Sequence, residues 1–332
     1  MRRLLRLLLW IAVFAGEAFA VTGGARLYRD VAGPGPLAAA RSLVIPPHTG
    51  LWRVAARLAE DGVVRSRLSF VLGAVLSGQR ARLKAGEYRF PPHMSALAAA
   101  ALVASGKTVR HKLTIPEGLT CAEILALIQA APALAGNTGP CPDEGTLMPA
   151  TYFYSHGETR TRLIARMRQA MTRAVAEAWA ERRPEPDLKT PRQLLILASI
   201  IEKETARPAE RALIAGVFVN RLRLGMPLQS DPTVIYALSA DGRVPFKGPL
   251  THADLATPSP YNTYRVTGLP PGPIDSPGMA SLLAAARPAD TDDLYFVADG
   301  EGGHVFAKTL AGQNRNIAQY RSHAVADPPA RR

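Results

Sequence analysis

Two glutamates spaced two positions apart, Glu202 and Glu204, close an apolar run that begins at Leu194. The run predicts a helix, and two positions on a helix differ by about 200°, so these carboxylates cannot act as a pair on one face. Both faces leading to them are apolar, so periodicity does not choose between them. A carboxylate at the edge of an apolar surface should have a raised pKa, which suits a general acid. The competing interpretation is a helix-end glutamate that is ion-paired with Arg207 or Arg211.

A second group of chemically useful side chains follows in a region rich in Pro, Gly, Asn and Tyr, residues 226–310. Gln229 and Asp231 lie on a predicted turn, but an Asp before a proline equally suits an ordinary turn or helix cap. In "YNTY" (261–264) two aromatic rings flank an asparagine. Ring faces can stack on a pyranose while an amide bonds its hydroxyl groups, although an ordinary loop can have the same composition.

Other chemistries find no support in the sequence. There is no G-x-S-x-G elbow, H-E-x-x-H pair or P-loop, and the seven histidines lack ligand spacing, so we expect neither a metal nor a cofactor. The net charge is +13, yet zinc-finger spacing, an aromatic ribonucleoprotein strand and a dense Lys/Arg block are all missing. We therefore expect no nucleic-acid partner. Attraction to an anionic surface or polymer, such as anionic lipid or acidic glycan, explains the charge equally well.

The N-terminus begins with basic residues, "MRRLLR", followed by the apolar run Leu7 to Gly16. This order predicts export, with the rest of the chain outside the cytoplasm. A cleaved signal ending near Ala20 and a spanning segment over residues 1–26 both remain open. In an oxidising compartment Cys121 and Cys141 could pair, and the alternative is two unrelated buried residues.

The helices and strands predicted from the sequence, which must position these side chains, indicate an α+β fold. Residues 40–130 read as a small β/α module with a weak internal repeat, whose second copy has a helix capped at Thr120 with Glu123 three residues on. A long amphipathic helix over 158–184 precedes the helix that carries the two glutamates, and Pro191 suits the first turn of that second helix. Two other helices are predicted to end at Gly106 and near Gly225. Strands over 294–298 and 304–307 predict a hairpin.

Several long motifs, in order between about residue 40 and residue 320, resemble the YceG-like family of endolytic murein transglycosylases. They are "IPEGLT", "EGTLMPATYFY", "LASIIEKET", "VFVNRLRLGMPLQSDPTVIYAL", "YNTYRVTGLPPGPIDSPG", "LYFVADGEGGHVF" and "NRNIAQY". The resemblance implies a single-pass inner-membrane segment (1–26), a LysM-like subdomain (40–130) and a periplasmic catalytic domain (140–322). It also matches the family's catalytic glutamate with Glu204. The sequence departs from the family pattern at Ala150, where an acidic residue is expected, and at Glu17 within the short apolar segment.

The resemblance further implies a reaction that needs one carboxylate. Glu204 protonates the glycosidic oxygen between MurNAc and GlcNAc, and the C6 hydroxyl of the same MurNAc then attacks the anomeric carbon, leaving a 1,6-anhydro end. Candidates for gripping the glycan or stabilising the developing charge are Gln229, Asp231, Tyr236, Tyr261, Asn262 and Tyr264. Cleavage within strands would terminate the elongation of nascent glycan, with peptidoglycan synthases as possible partners. The alternatives are a hydrolytic muramidase that uses Asp231 as a second carboxylate and a non-catalytic glycan-binding scaffold.

Overall fold

The computed structural model describes residues 21–183 and 188–326, together with Trp10, Phe14 and Glu17. The fold is of the α+β class, and the described strands form three two-stranded sheets among a larger number of helices. The chain divides into two compact units. The first contains the residues up to His111 together with Phe153–Glu158, and the second contains Lys112–Tyr152 together with the residues from Thr159 onward.

The first unit is built on an antiparallel strand pair. Strand β1 (Arg41–Ile45) pairs with β2 (Gly86–Phe90), with Leu43 opposite Tyr88. Tyr88 and Phe90 are fully buried, and the hydroxyl of Tyr88 donates to the carbonyl oxygens of Lys84 (2.9 Å) and Val103 (3.0 Å), which satisfies the polar end of a buried ring.

Three helices complete the core of the first unit: α1 (Leu51–Glu60), α2 (Arg67–Leu76) and α3 (Ala96–Ser105). Helix α3 ends at Gly106, whose φ of 73° places it in the left-handed region and confirms the predicted stop. Strands β3 (Arg110–Thr114) and β4 (Thr151–Ser155) pair with each other, and each contributes residues to both units.

The second unit is centred on a helix that is buried on every side. In this unit α4 spans Cys121–Ala130, α5 Arg160–Ala180, α6 Pro191–Glu204, α7 Arg211–Arg223, α8 Asp231–Leu238, α9 His252–Leu255, α10 Met279–Ala286 and α11 Leu310–Ala326, and a 3₁₀ turn, Pro208–Glu210, precedes α7. All eight residues from Leu194 to Ile201 of α6 are buried, because α5, α7 and α10 pack around that helix. This all-round burial is the physical reason why sequence periodicity could not choose between the two glutamates.

Several local predictions in the second unit are confirmed. Thr120 and Glu123 form a reciprocal capping box at the start of α4, and Pro191 occupies the first turn of α6. The C-terminal hairpin consists of β5 (Tyr295–Ala298) and β6 (His304–Ala307), one residue shorter than expected at its first strand.

The N-terminal prediction lies mostly outside the described residues. Among the residues that are described, no helix is both long enough and apolar enough to span a bilayer.

Candidate active site

Glu204 is the last residue of α6, and its carboxyl group is held by a serine. The helix starts with a capping box between Thr190 and Gln193 and ends where Thr205 turns to extended backbone. The hydroxyl of Ser230 donates to Oε1 of Glu204 over 2.5 Å. This bond places the carboxyl beside the turn that begins α8.

The pKa of Glu204 is raised to about 7. Burial is the largest cause, and the nearby Asp231 carboxylate adds to it, while the Ser230 hydrogen bond and the Arg221 charge act in the opposite direction. Glu204 is half-buried rather than sealed from solvent. A carboxyl that is largely protonated up to neutral pH and still partly accessible meets the requirements of a general acid.

Glu202 points to different partners, as helix geometry requires. Its Oε1 accepts from Nη2 of Arg211 at 3.2 Å, and its Oε2 accepts from the backbone N–H of Gly278 at 2.9 Å. The side chains of Glu202 and Arg211 are only 6% and 10% exposed. The pairing with Arg211 that the sequence raised as an alternative therefore belongs to Glu202, which ties α6 to α7 and to the start of α10.

The turn that carries Ser230 is fixed by a buried arginine. Arg221, on α7, donates to the carbonyl oxygens of Pro227 (3.2 Å) and Leu228 (2.8 Å) and to Oε1 of Gln229 (3.3 Å). Gln229 has a φ of 52°, and its backbone N–H donates to the carbonyl oxygen of Thr263 at 3.0 Å. The predicted site residue Gln229 is exposed but partly engaged by Arg221.

Two of the predicted residues, Asp231 and Tyr264, meet directly. The hydroxyl of Tyr264 donates to Oδ1 of Asp231 over 2.5 Å, although 33 residues separate them in the chain. Burial and the Asp231 carboxylate raise the pKa of Tyr264, so the phenol stays protonated. Asp231 is exposed, and its negative charge adds to the raised pKa of Glu204, so both predicted residues belong to the surroundings of the same carboxyl.

Threonine hydroxyls join the "YNTY" loop to the turn at Ser230. Oγ1 of Thr263 accepts from the backbone N–H of Ser230 at 3.0 Å and lies 2.8 Å from Oγ1 of Thr233. Both threonines are fully buried. The loop and the start of α8 thus form one hydrogen-bonded body around the Glu204 carboxyl.

The remaining predicted residues are placed beside that body in different ways. The rings of Tyr236 and Tyr261 lie 4.9 Å apart between centroids, with Tyr236 only 7% exposed and Tyr261 more accessible. Asn262 is fully buried, and its Nδ2 donates to the carbonyl oxygens of Leu255 (3.0 Å) and Thr257 (2.8 Å). In this arrangement the Asn262 amide stabilises its own loop, and its contact with a ligand stays a prediction.

Two further carboxyl groups near the site were missed by sequence reasoning. Glu144 accepts from the backbone N–H of Cys121 at 2.8 Å and of Gly145 at 3.2 Å, and burial raises its pKa to about 7. Asp275 is fully buried, neither of its oxygens has a hydrogen-bond partner among the described residues, and burial raises its pKa well above the ordinary value. Both lie in motifs quoted in the sequence analysis, Glu144 at the start of "EGTLMPATYFY" and Asp275 near the end of "YNTYRVTGLPPGPIDSPG".

The cysteines are joined. Cys121 and Cys141 form a disulfide with a Cα–Cα distance of 6.1 Å across 20 positions, which decides between the two alternatives left open by the sequence. Because Glu144 follows Cys141 by three residues and binds the N-terminus of α4 at Cys121, the bond and the carboxyl fasten the same loop.

Proteins of similar sequence align with a large part of this chain. An endolytic murein transglycosylase of Bacillus subtilis (strain 168) is 41% identical over 179 residues, covering 54% of this chain and 48% of the relative. One of Streptococcus pneumoniae serotype 2 (strain D39 / NCTC 7466) is 30% identical over 319 residues, covering 83% of this chain and 57% of the relative. The chain thus spans about half the length of the curated relatives it matches.

A solved structure and a family model agree with these relatives. The crystal structure of a YceG-like protein from Listeria monocytogenes aligns with a TM-score of 0.52 and 31% identity, covering 84% of this chain and 99% of that one. The model of the YceG-like family matches residues 43–319, a range that contains every residue of the site described above. The chain therefore belongs to the YceG-like family.

Proposed function

We propose that this chain is an endolytic lytic transglycosylase that cleaves the β-1,4 bond between MurNAc and GlcNAc within peptidoglycan strands. The observation that carries the proposal is the Glu204 carboxyl, with its pKa raised to about 7 and its Oε1 held by Ser230. Relatives named endolytic murein transglycosylase support the substrate class and the position of cleavage within the strand.

Glu204 acts first as an acid. Since Ser230 donates to Oε1, the carboxyl proton resides on Oε2, which is free to donate to the glycosidic oxygen. Transfer of that proton lets the GlcNAc leave as an alcohol while positive charge develops at the anomeric carbon of MurNAc. The Asp231 carboxylate, held by Tyr264, is placed to stabilise this charge.

The Glu204 carboxylate then acts as a base. It takes the proton from the C6 hydroxyl of the same MurNAc, the C6 oxygen bonds to the anomeric carbon, and the products are a 1,6-anhydro-MurNAc end and a new GlcNAc end. The nucleophile is already attached to the reacting sugar, so proximity replaces the water-activating carboxylate of an ordinary glycosidase. Glu204 regains its proton, ready for the next strand.

The test is analysis of the products by mass spectrometry after digestion of purified glycan strands. Anhydro ends support the proposal, and reducing ends indicate the muramidase alternative, in which Asp231 activates water. Glu204→Gln should abolish cleavage with the fold intact. Cleavage that survives this substitution would contradict the assignment of Glu204, and absence of cleavage by the wild type would favour the scaffold alternative.

For location and organisation we propose what the family resemblance implies. Residues 1–26 hold the chain in the inner membrane with the N-terminus cytoplasmic, and the two units lie in the periplasm. Residues 40–130 form a LysM-like glycan-gripping subdomain and residues 140–322 the catalytic domain. Cleavage of nascent strands beside peptidoglycan synthases then terminates their elongation. The disulfide supports an oxidising compartment. Fractionation of cells with a C-terminal tag, with protease protection of spheroplasts, tests the topology.

A further inference from the structure

A groove of about 490 Å³ lies along one side of α8, in the second unit. Pro232, Ile235 and Tyr236 line it from one face of α8, and Ser239, which caps that helix, continues the same face. The other lining residues are Lys203, Ile274, the segment 242–246 and residues of α4 and its cap. Glu204 is not among the lining residues, so this groove is separate from the carboxyl described above.

The groove nevertheless starts beside that carboxyl. Lys203, which lines it, directly precedes Glu204 in the chain, and Pro232 directly follows Asp231. The groove and the Glu204 carboxyl therefore lie in neighbouring parts of the second unit, within reach of one branched polymer.

The groove carries two cations on a mostly apolar background, and one of them, Lys203, also lowers the pKa of Glu144 and of Asp275. Lys203 and Arg243 are exposed, and neither makes a hydrogen bond or ion pair among the described residues. Glu123, the acidic side chain among the described lining residues, is committed to the cap of α4, where its Oε2 accepts from the backbone N–H (2.8 Å) and hydroxyl (3.1 Å) of Thr120. Most of the other lining side chains are apolar, including Ile274. The complementary ligand is anionic and carries small apolar groups.

The length of the groove limits the ligand further. Helix α8 has eight residues, which at 1.5 Å per residue extend over about 12 Å. An extended peptide rises about 3.3–3.6 Å per residue, so three or four residues fill that length. A bare glycan carries methyl groups on its acetyl and lactyl substituents but only one carboxylate per MurNAc, whereas two cations line the groove.

We propose that this groove binds the acidic stem peptide attached to the lactyl group of the MurNAc whose bond is cleaved, with Lys203 and Arg243 pairing with its free carboxylates. The alanine methyl groups of the peptide lie against the exposed side chains of Ile235 and Val244. The proposal rests on the proposed function, because it is the peptidoglycan substrate that brings such a peptide to Glu204.

The first test measures binding without catalysis. The probe is the tripeptide N-acetyl-L-alanyl-γ-D-glutamyl-L-lysine, titrated into the full chain carrying Glu204→Gln and followed by amide chemical shifts. We expect shifts concentrated in residues 232–246, and affinity about tenfold weaker when Lys203→Gln and Arg243→Gln are added together. Amidation of the glutamyl α-carboxylate of the tripeptide should also weaken its binding to the groove. Arg168→Gln, an exposed arginine on α5, is the matched control and should leave affinity unchanged. Absence of shifts in the groove, or equal affinity of all variants, overturns the proposal.

The second test compares strands that carry stem peptides with strands stripped of them by an amidase. We expect the ratio of kcat/KM for peptide-bearing over stripped strands to fall about tenfold in the double variant, through KM rather than kcat, and to stay constant in Arg168→Gln. An unchanged ratio overturns the proposal, as does a larger loss on stripped strands, which would mean that the cations bind the bare lactyl carboxylate. If the wild type cleaves neither substrate, it is the proposed function that fails, and the tripeptide titration alone decides what the groove binds.

Discussion

Neutralising Glu204 and neutralising Glu202 should change the stability of this protein in opposite directions. At Glu204 the folded state raises the pKa from 4.5 to about 7. Above pH 4.5 the carboxyl is ionised in the unfolded chain but still protonated in the folded one, so folding must take up a proton and the free energy of unfolding falls. The contribution of the Glu204 carboxyl to stability is complete below pH 4.5, is lost as the pH rises to about 7 and does not return above that pH. A shift of this size corresponds to at most about 3.4 kcal/mol, which we reduce to about 2 kcal/mol because the side chain is only half-buried. Glu204→Gln should recover this amount at pH 8 and nothing at pH 4.

At Glu202 the sign reverses. Its carboxylate faces Arg211 at 3.2 Å, with both side chains at most 10% exposed. Glu202→Gln removes the carboxylate that binds the buried Arg211 guanidinium, and breaking such a pair from one side costs about 3 kcal/mol or more. The substituted amide can still accept one hydrogen bond from the Gly278 N–H, so the loss should be smaller than for Glu202→Ala.

The assay is urea-induced unfolding of the wild type and both variants at pH 8 and at pH 4, together with glycan cleavage under conditions where all three are folded. We expect Glu204→Gln to be more stable than the wild type at pH 8 and to lose about 10²- to 10⁴-fold in kcat. Glu202→Gln should be less stable and should keep its kcat. Equal destabilisation by the two substitutions at pH 8 would refute the reasoning, and a dead Glu202→Gln beside an active Glu204→Gln would show that the catalytic assignment is wrong.

Four further predictions follow from the contacts and charges described above. Activity should fall as the pH rises through about 7, since only the protonated carboxyl donates. Ser230→Ala removes the hydrogen bond that lowers the pKa of Glu204, so this alkaline limb should move to higher pH, and a pH–kcat/KM profile without such a move would contradict the role of the serine. Asp275→Asn removes a carboxyl whose pKa is raised by burial, so it should raise the melting temperature at pH 8 more than at pH 4, and an equal change at both would show that ionisation is not the cause. Replacing Cys121 and Cys141 with serine should lower the free energy of unfolding by about 3 kcal/mol in a denaturant titration, because the disulfide closes a loop across 20 positions. The difference from the wild type should shrink in the presence of reductant, where the wild type has also lost its disulfide.

Much of the local structure could be predicted because its causes lie within a few residues. The capping box of Thr120 and Glu123, the stop at Gly106 and Pro191 in the first turn of α6 depend on neighbours in the same turn of chain. The hairpin of β5 and β6 depends on two short strands and the Gly-rich turn between them. Such features need no knowledge of the rest of the fold.

The site could be predicted only in part, since its contacts are between distant segments. Ser230 lies between two predicted residues, yet nothing local indicated that its hydroxyl would meet Glu204 across 26 positions. Arg221 was not singled out from the sequence, yet it is buried against the turn at Gln229. Asn262 was predicted to face a sugar, whereas in the fold its amide is used by the backbone of its own loop.

Glu202 and Glu204 show which features of the site followed from the sequence and which followed from the tertiary structure. The sequence by itself determined that Glu202 and Glu204 point to different sides of one helix, because the helical repeat fixes their angular separation. It could not say which side holds a counter-ion, because α6 is apolar all round and packs against other elements on every face. Only the tertiary structure decided this, by placing Arg211 and the Gly278 N–H against Glu202 and burying Glu204 beside Ser230 and Asp231. Burial with another carboxylate nearby favours the protonated form of Glu204, which is the form that a general acid needs.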